Sequence, residues 1–339
     1  MKRDELYVGI DLGGTNVRAA VVDAQGQSLG QEKHRLLSRE PPQVAEAVVR
    51  AAKTACAAAG LPFSEIRALG IGVAAMIERG TGMVLNAPNL GWRDVPFLKL
   101  VEARAGKTKV VIANDLSVAA WGEYAAGAGR GVDDLVVVLA GSGIGSGIIL
   151  GGKLQEGATG VGGEFGHVVV HPGGRHCGCG QRGCLEAYAG GHNLAAWARD
   201  DLRIALAQAR TAGHSAPAVG RKLLEVAGEP EKVTAALLEK AAHEGDELSR
   251  RLLEEAGQLL GVALANLVTL LNPALLLLGG GVLNGSPRMK AAALAGLDAH
   301  TARAARAALR IGEPALGDNA GVLGAALLAR SSAASQAGR

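Results

Sequence analysis

The stretch YVGIDLGGTNVRAAVVD, Tyr7–Asp23, decides how this chain is read. Val8 and Ile10 alternate along YVGID as in a half-buried strand. The run enters LGGT, then a second apolar strand over Val17–Val22, and stops at the turn Asp23-Ala24-Gln25-Gly26. Strand, glycine turn, strand is the pattern. About 130 residues later it returns over Asp134–Leu154: LVVVLA, then GSGIGSG, then IIL and a Gly-Gly turn. The repetition reads as a weak internal duplication, two related α/β halves each with its own glycine loop.

Other segments fit an α/β chain. Ala45, Val48, Val49, Ala52 and Cys56 form one stripe of a helix over Gln43–Ala59, ended by Gly60 and Pro62, with Cys56 a small core residue. Ala68–Val73 and Lys109–Ala113 read as buried strands, the second followed by Asn114-Asp115 and a helix over Leu116–Ala126. Residues 190–272 read as helical, most clearly Leu248–Leu271. ALLLL then runs into Gly279-Gly280-Gly281, and a last helix spans about Asn319–Ala329, before a tail, SSAASQAGR, expected to be flexible.

Composition bounds the function. At 339 residues the chain is long enough for two domains with real cores. Hydrophobic residues are 48% but aromatics only 3%, so the core must be aliphatic. Fifty glycines, about twice the usual share, cluster in turns after apolar runs rather than in repeats. The net charge of +3 is spread along the chain, with no basic block of the kind that marks a nucleic-acid surface. The start, MKRDELYVGID, has no apolar leader, and no run reaches membrane-spanning length. A soluble cytoplasmic protein is expected, without nucleic-acid or membrane partners.

Three glycine turns follow strands: Gly13-Gly14-Thr15, Gly141-Ser142-Gly143 and Gly279-Gly280-Gly281. Each exposes amides with no Cβ in the way, which suits phosphate oxygens, though one such turn alone usually just makes a turn. Three together argue for a nucleotide. The dinucleotide fingerprint GxGxxG opening a helix and the GxxxxGK[ST] loop are both absent. Asp11, directly before the first loop, suits a hydrated Mg2+; the bland alternative is a strand-end or turn-capping carboxylate. Asn114 and Asp115 stand where a strand gives way to a helix, the edge at which open α/β sheets bind ligands, but also where Asn and Asp cap helices.

Cys177, Cys179 and Cys184 crowd one segment with interleaved glycines. Three reduced thiols in a loop is the bland reading; a tetrahedral Zn2+ is the sharper one and needs a fourth ligand, with His167, His171 and His176 all candidates. His176 adjoins Cys177, and such neighbours seldom aim at one ion. Three cysteines and a histidine would fill the metal's coordination, making it structural. Glu164 and Glu186 flank this loop and suit a polyol's hydroxyls.

At these residues the chain resembles the ROK family of sugar kinases and related repressors. GIDLGGTNVRAAVVD and GSGIGSGI resemble its phosphate loops, NAPNLGW its sugar loop, and ANDLSVAAWGE its catalytic-base segment. GGEFGH with HCGCGQRGCLEAY resembles its signature and zinc motif. The likeness runs from about Tyr7 to Leu328. It implies a two-lobed actin- and hexokinase-like (ribonuclease H-like) α/β fold with ATP in the cleft. The implied lobes are 1–116 completed by about 319–330, and 117–318 with the zinc loop, leaving 331–339 as tail. Asp115 would be the general base on a sugar 6-hydroxyl. Asn89, Asn114, Glu164, His167 and Glu186 would hold the sugar. Asp11, Gly13, Gly14, Thr15, Gly141, Ser142, Gly143, Gly280 and Gly281 would serve Mg-ATP. His167, Cys177, Cys179 and Cys184 would hold Zn2+, favouring His167 over its neighbours.

Two stretches depart from the family: Ala74-Ala75 stands where many members have Pro-Gly, and AYAGGHN follows the zinc motif in place of a Ser-Gly-Thr-like continuation. The function expected is an ATP-dependent hexokinase acting on glucose, in glycolysis, as a homodimer or homotetramer. Alternatives are a kinase for N-acetylmannosamine or N-acetylglucosamine, a sugar-sensing regulator lacking its DNA-binding domain, and, ranked low, a polyphosphate-dependent kinase. A strand beginning by Tyr7 leaves no room for a preceding helix-turn-helix, which weighs against the regulator.

Overall fold

The opening hairpin forms as its alternation requires. In the computed structural model, which describes residues 5–337, β1 (Leu6–Leu12), β2 (Asn16–Val22) and β3 (Ser28–Arg35) make an antiparallel meander. Helix α1 (Pro41–Ala58) leads to β4 (Ile66–Val73), then to β5 (Met76–Ile77), β6 (Val84–Ala87), β7 (Trp92–Val95), α2 (Phe97–Ala105), β8 (Lys109–Asn114) and α3 (Asp115–Ala126). The second meander is β9 (Leu135–Ala140), β10 (Ile144–Leu150) and β11 (Lys153–Leu154). After the cysteine loop come α4 (Glu186–Ala189), α5 (Gly191–Thr211), α6 (Arg221–Ala227), α7 (Ala235–His243) and α8 (Glu247–Leu271). The chain closes through β12 (Leu275–Gly279), α9 (Gly281–Gly285), α10 (Pro287–His300), α11 (Arg303–Ala308), β13 (Arg310–Gly312) and α12 (Ala320–Ala337).

One five-stranded sheet runs β3-β2-β1-β4-β8 and another β11-β10-β9-β12-β13, the same order in each, as expected of a duplication. In the first, β1, β4 and β8 are parallel. A separate three-stranded sheet, β5-β6-β7, had no counterpart in the sequence reading. The strands that compose it are too short for alternation to register.

Contacts divide the chain into two compact units. One takes residues through Val137, Ser146–Gly163 and everything from Gly312; the other takes Val138–Gly145 and Glu164–Ile311. Helix α3 packs on α12, and both lie in the first unit.

The pleat of β1 explains the first unit. Leu6, Val8, Ile10 and Leu12 point to one face and join a core with α1 and α2, including Val48, Ala52, Phe97 and Val101. Burying each large aliphatic side chain there contributes roughly 1.5–3 kcal/mol. Tyr7 points to the other face and packs with Val322, Ala326 and Ala329 of α12. Between them Gly9 lets α12 approach so closely that a Cβ would strike the Val322 carbonyl; Gly70 does the same for Ala325. Asp11 shares the α12 face by the same period of two.

Helix α12 corrects one expectation. Residues 331–337 continue the helix rather than forming a flexible tail, and the last two residues lie outside the described range. Ala333 packs on the Tyr7 cluster and Lys109 Nζ donates to the Ser332 carbonyl at 3.0 Å, which ties down a composition that looks unstructured. In the second unit, the long helical stretch resolves into α5 to α8. Asp246 caps α8 through Oδ1, which accepts from Ser249 N at 2.9 Å, and Asn272 ends it in the left-handed region at φ 46°. Among the described residues no helix is long and apolar enough to cross a membrane.

Candidate active site

In the first unit, parallel register gathers chemistry at one sheet edge. Asp11 pairs with Gly72, and Val73 pairs with Asn114, so the carboxyl ends of β1, β4 and β8 stand level. That is the edge where α/β sheets take ligands. The first glycine loop begins there. Gly13 N donates to Asn16 O at 3.0 Å and closes the hairpin, while the amides of Gly14 and Thr15 donate to no described residue. Gly14 abuts Asn89, in the turn between β6 and β7: a Cβ there would lie 2.7 Å from the Asn89 carbonyl oxygen.

Asn114 is a helix cap. Its Oδ1 accepts from Leu116 N at 2.9 Å and Ser117 N at 3.2 Å, and its Nδ2 donates to Ala75 O at 3.1 Å. The side chain that was expected among the sugar ligands thus fixes the start of α3 and the Ala74-Ala75 loop. Asp115 follows as the first residue of α3, half-buried, with Oδ1 accepting from Leu116 N at 2.9 Å. A helix N-terminus stabilises a carboxylate there.

Asp11 sits under the start of α12, where Gly321 leaves room for it. Burial pushes its carboxyl above the ordinary value, Arg18 pulls it down and Asp318 pushes it up. Arg18 lies 4.0 Å from Asp11 and is itself held by the Asp318 carbonyl at 2.6 Å and Asn319 Oδ1 at 3.3 Å.

In the second unit the other glycine loop has the same design. Gly141 N donates to Gly143 O at 2.9 Å, leaving the amides of Ser142 and Gly143 without a described acceptor. The loop's carbonyls are held from below: Gly191 N donates to Gly141 O at 2.9 Å and His192 N to Ser142 O at 3.0 Å. Ile144 N donates to Glu186 Oε2 at 2.8 Å. Gly280, at φ 100°, backs onto Ala140 at the loop's entry, and Gly281 begins α9 beside it. The second and third glycine turns are therefore neighbours.

The structure also brings together His167, Cys177, Cys179 and Cys184, whose ligand atoms all lie within 4.8 Å of one another. Cys177 Sγ is 3.6 Å from His167 Nδ1, and Cys179 Sγ is 3.6 Å from Cys184 Sγ. With metal bonds of about 2.3 Å to sulfur and about 2.0 Å to nitrogen, a tetrahedral ion spaces its ligands ~3.5–3.8 Å apart. The donor set fits such an ion with no position left open. Without a cation, burial drives the Cys184 thiol up to about 12 and raises Cys177 as well.

The other two histidines have different partners. His176 Nε2 contacts Arg182 at 2.5 Å, and the His171 ring packs on Tyr188 at 5.9 Å. Tyr188 in turn accepts from Arg175 N at 2.8 Å, and Arg175 pairs with Asp200 at 2.6 Å, which stitches the loop to α5. His167 Nε2 faces Glu164 Oε2 at 3.8 Å, so one ring edge meets the cysteines and the other a carboxylate. Burial raises the Glu164 carboxyl, His167 lowers it and Glu186 raises it.

Sequence reasoning passed over Arg18, Glu123 and Ser146. Arg18 was legible from the hairpin register, which sets it opposite Asp11. Buried Ser146 donates to Gly163 O at 2.8 Å, one residue before Glu164, and carried no sequence signal. Glu123, 1% exposed, accepts from Ala128, Ala315 and Leu316 amides.

Known proteins resemble this chain in sequence and in fold. A glucokinase of Streptomyces coelicolor is 35% identical over 278 residues, 82% of this chain and 82% of that protein. An N-acetylmannosamine kinase of Shigella boydii is 36% identical over 197 residues, 58% of this chain and 65% of that one. The crystal structure of a ROK family glucokinase from Streptomyces griseus, in complex with glucose and AMPPNP, superposes with a TM-score of 0.73 at 35% identity, covering 96% of this chain and 99% of that one. The ROK family model matches residues 7–332, nearly the whole of the described chain, and the chain belongs to that family.

Proposed function

We propose that this chain is an ATP-dependent hexokinase that phosphorylates the 6-hydroxyl of glucose. The observation that carries the reading is Asp115, a half-buried carboxylate at the first turn of α3, on the sheet edge that also holds the first glycine loop. Phosphoryl transfer to an alcohol needs a group to align the hydroxyl and accept its proton. Asp115 takes that proton as the sugar oxygen bonds to the γ-phosphorus and ADP leaves. The uncommitted amides of Gly14, Thr15, Ser142 and Gly143 receive phosphate oxygens, with Gly13, Gly141, Gly280 and Gly281 shaping those turns. Asp11 is the carboxylate suited to Mg2+ and its waters, which would neutralise phosphate charge when the nucleotide binds.

Asn89, Asn114, Glu164, His167 and Glu186 receive the sugar's hydroxyls, Asn114 while also capping the helix that carries Asp115. His167, Cys177, Cys179 and Cys184 hold Zn2+, a coordinatively full structural ion that fixes the loop bearing Glu164 and Glu186 at its two ends. The reading places the protein in the cytoplasm, at the entry of glucose into glycolysis, as a homodimer or homotetramer without nucleic-acid partners.

The test is ADP release with Mg-ATP against glucose, mannose, fructose, N-acetylglucosamine and N-acetylmannosamine. Preference for glucose upholds the reading. Preference for an N-acetylated sugar, which the likeness to an N-acetylmannosamine kinase makes the second reading, keeps the mechanism and moves the substrate. Turnover of none of them refutes it.

A further inference from the structure

Glu186 is the first residue of α4, directly behind the metal loop. Its Oε2 is committed to Ile144 N at 2.8 Å, the residue at which the second glycine loop rejoins its strand. No described residue donates to its Oε1. Gly143 makes this position available. A Cβ on residue 143 would overlap Glu186 Oε2 and lie 3.3 Å from Cδ, but 4.0 Å from Oε1. A side chain at 143 and the observed carboxylate position therefore exclude each other. The backbone just after α4 completes the support, since Gly191 N and His192 N hold the carbonyls of Gly141 and Ser142. The segment 186–192 is thus the floor of the loop.

We propose that Glu186 is a strut shared by two ligands: Oε2 positions the phosphate-binding loop through Ile144, while Oε1 receives a sugar hydroxyl. The proposal rests on the sugar-kinase reading above. Its consequence is mutual: a ligand that orders the carboxylate orders the loop, and a nucleotide on the loop orders the carboxylate. Binding of sugar and nucleotide is then coupled by the same factor in both directions.

Calorimetry of glucose alone and of AMPPNP alone tests this. Gly143→Ala belongs to the nucleotide loop, yet it is expected to weaken glucose ~10-fold by displacing the carboxylate, whose flexible end gives way before the backbone does. In Glu186→Asp the shorter side chain has already left Ile144. Adding Gly143→Ala there is expected to cost less than ~2-fold. Glu186→Gln keeps an acceptor for Ile144 and is expected to hold AMPPNP within ~2-fold of wild type; Glu186→Ala is expected to lose ~5–10-fold. An equal loss from Gly143→Ala in both backgrounds overturns the strut, as does wild-type AMPPNP affinity in Glu186→Ala. Metal content and melting guard each variant, and if Gly143→Ala does not fold, the Gln and Ala pair decides. A wild-type protein that binds neither ligand sinks the kinase reading itself.

Discussion

Replacing Glu123 by alanine removes an anion that the first unit is built around. The side chain is 1% exposed, and its Oε2 accepts from Ala128 N at 2.9 Å and Ala315 N at 3.0 Å while Oε1 accepts from Leu316 N at 2.8 Å. Gly127 is pressed against the same carboxylate, leaving a Cβ no space. A hydrogen bond to a charged group contributes about 1.5–3 kcal/mol, and each buried amide left without an acceptor costs about 1–3 kcal/mol. Water entering the vacated space recovers part of this. A net loss of about 3–6 kcal/mol follows. At about 2–4 °C per kcal/mol the melting temperature should fall on the order of 10 °C. Glu123→Gln keeps the shape but turns an NH2 toward an amide, so it should fall between alanine and wild type.

The loss should reach the site as well. Residues 315–316 lead to Asp318 and Asn319, which hold Arg18 beside Asp11. Nucleotide affinity should therefore weaken in Glu123→Ala before the unit melts. Differential scanning calorimetry is the assay. A Glu123→Ala protein melting within about 2 °C of wild type would refute the account of Glu123 as the staple of that strap.

Three further outcomes are expected. Asp115→Asn should lower kcat by roughly 10²–10⁴ with glucose affinity nearly unchanged, read by steady-state kinetics alongside direct binding; full turnover would remove Asp115 as the base. Asp11 carries a raised carboxyl pKa, from burial first, so the folded state holds that proton more tightly than the unfolded one. Its contribution therefore favours the fold at acidic pH and is lost as pH rises from the ordinary carboxylate range through the raised value. Asp11→Asn should accordingly melt higher than ligand-free wild type at about pH 8, with the gap closing toward about pH 4, while ATP turnover falls. Cys177→Ser, or a strong chelator, should strip the metal and lower the melting temperature, as metal analysis and calorimetry would record. Because the Cys184 thiol lies at about 12 without a cation, binding must displace protons, and chelator competition should show weaker metal affinity as pH falls.

Local pattern carried much of the fold into view. Val8 and Ile10 alternate because one face of β1 meets α1, and the glycine loops announce themselves because a side chain there would press on the Asn89 backbone or displace the Glu186 carboxylate. The sheet order repeats because two similar segments fold by the same rules. Spacing alone left three histidines for the metal. The choice lay in contacts the chain order does not contain: His176 turns to Arg182 and His171 to Tyr188. Arg18 and the Asp318 carbonyl are 300 positions apart, so no window of sequence joins them. Residues 331–337 looked unstructured because Ser and Ala say little by themselves, whereas Ala333 has a core to pack on.

The docking of α12 on β1 has a consequence for how the protein is made. The face of the first sheet that carries Tyr7, Ala20, Val22 and Ala68 is covered by Val322, Ala326 and Ala329. A ribosome adding roughly 5–20 residues per second presents that apolar face for many seconds before its cover emerges. The opening hairpin can form early, but its unit cannot close early. During that interval the nascent chain offers an uncovered sheet to any other nascent chain beside it. Yield on overexpression should then respond to holdase chaperones and to slower synthesis, even though the finished protein buries the surface completely.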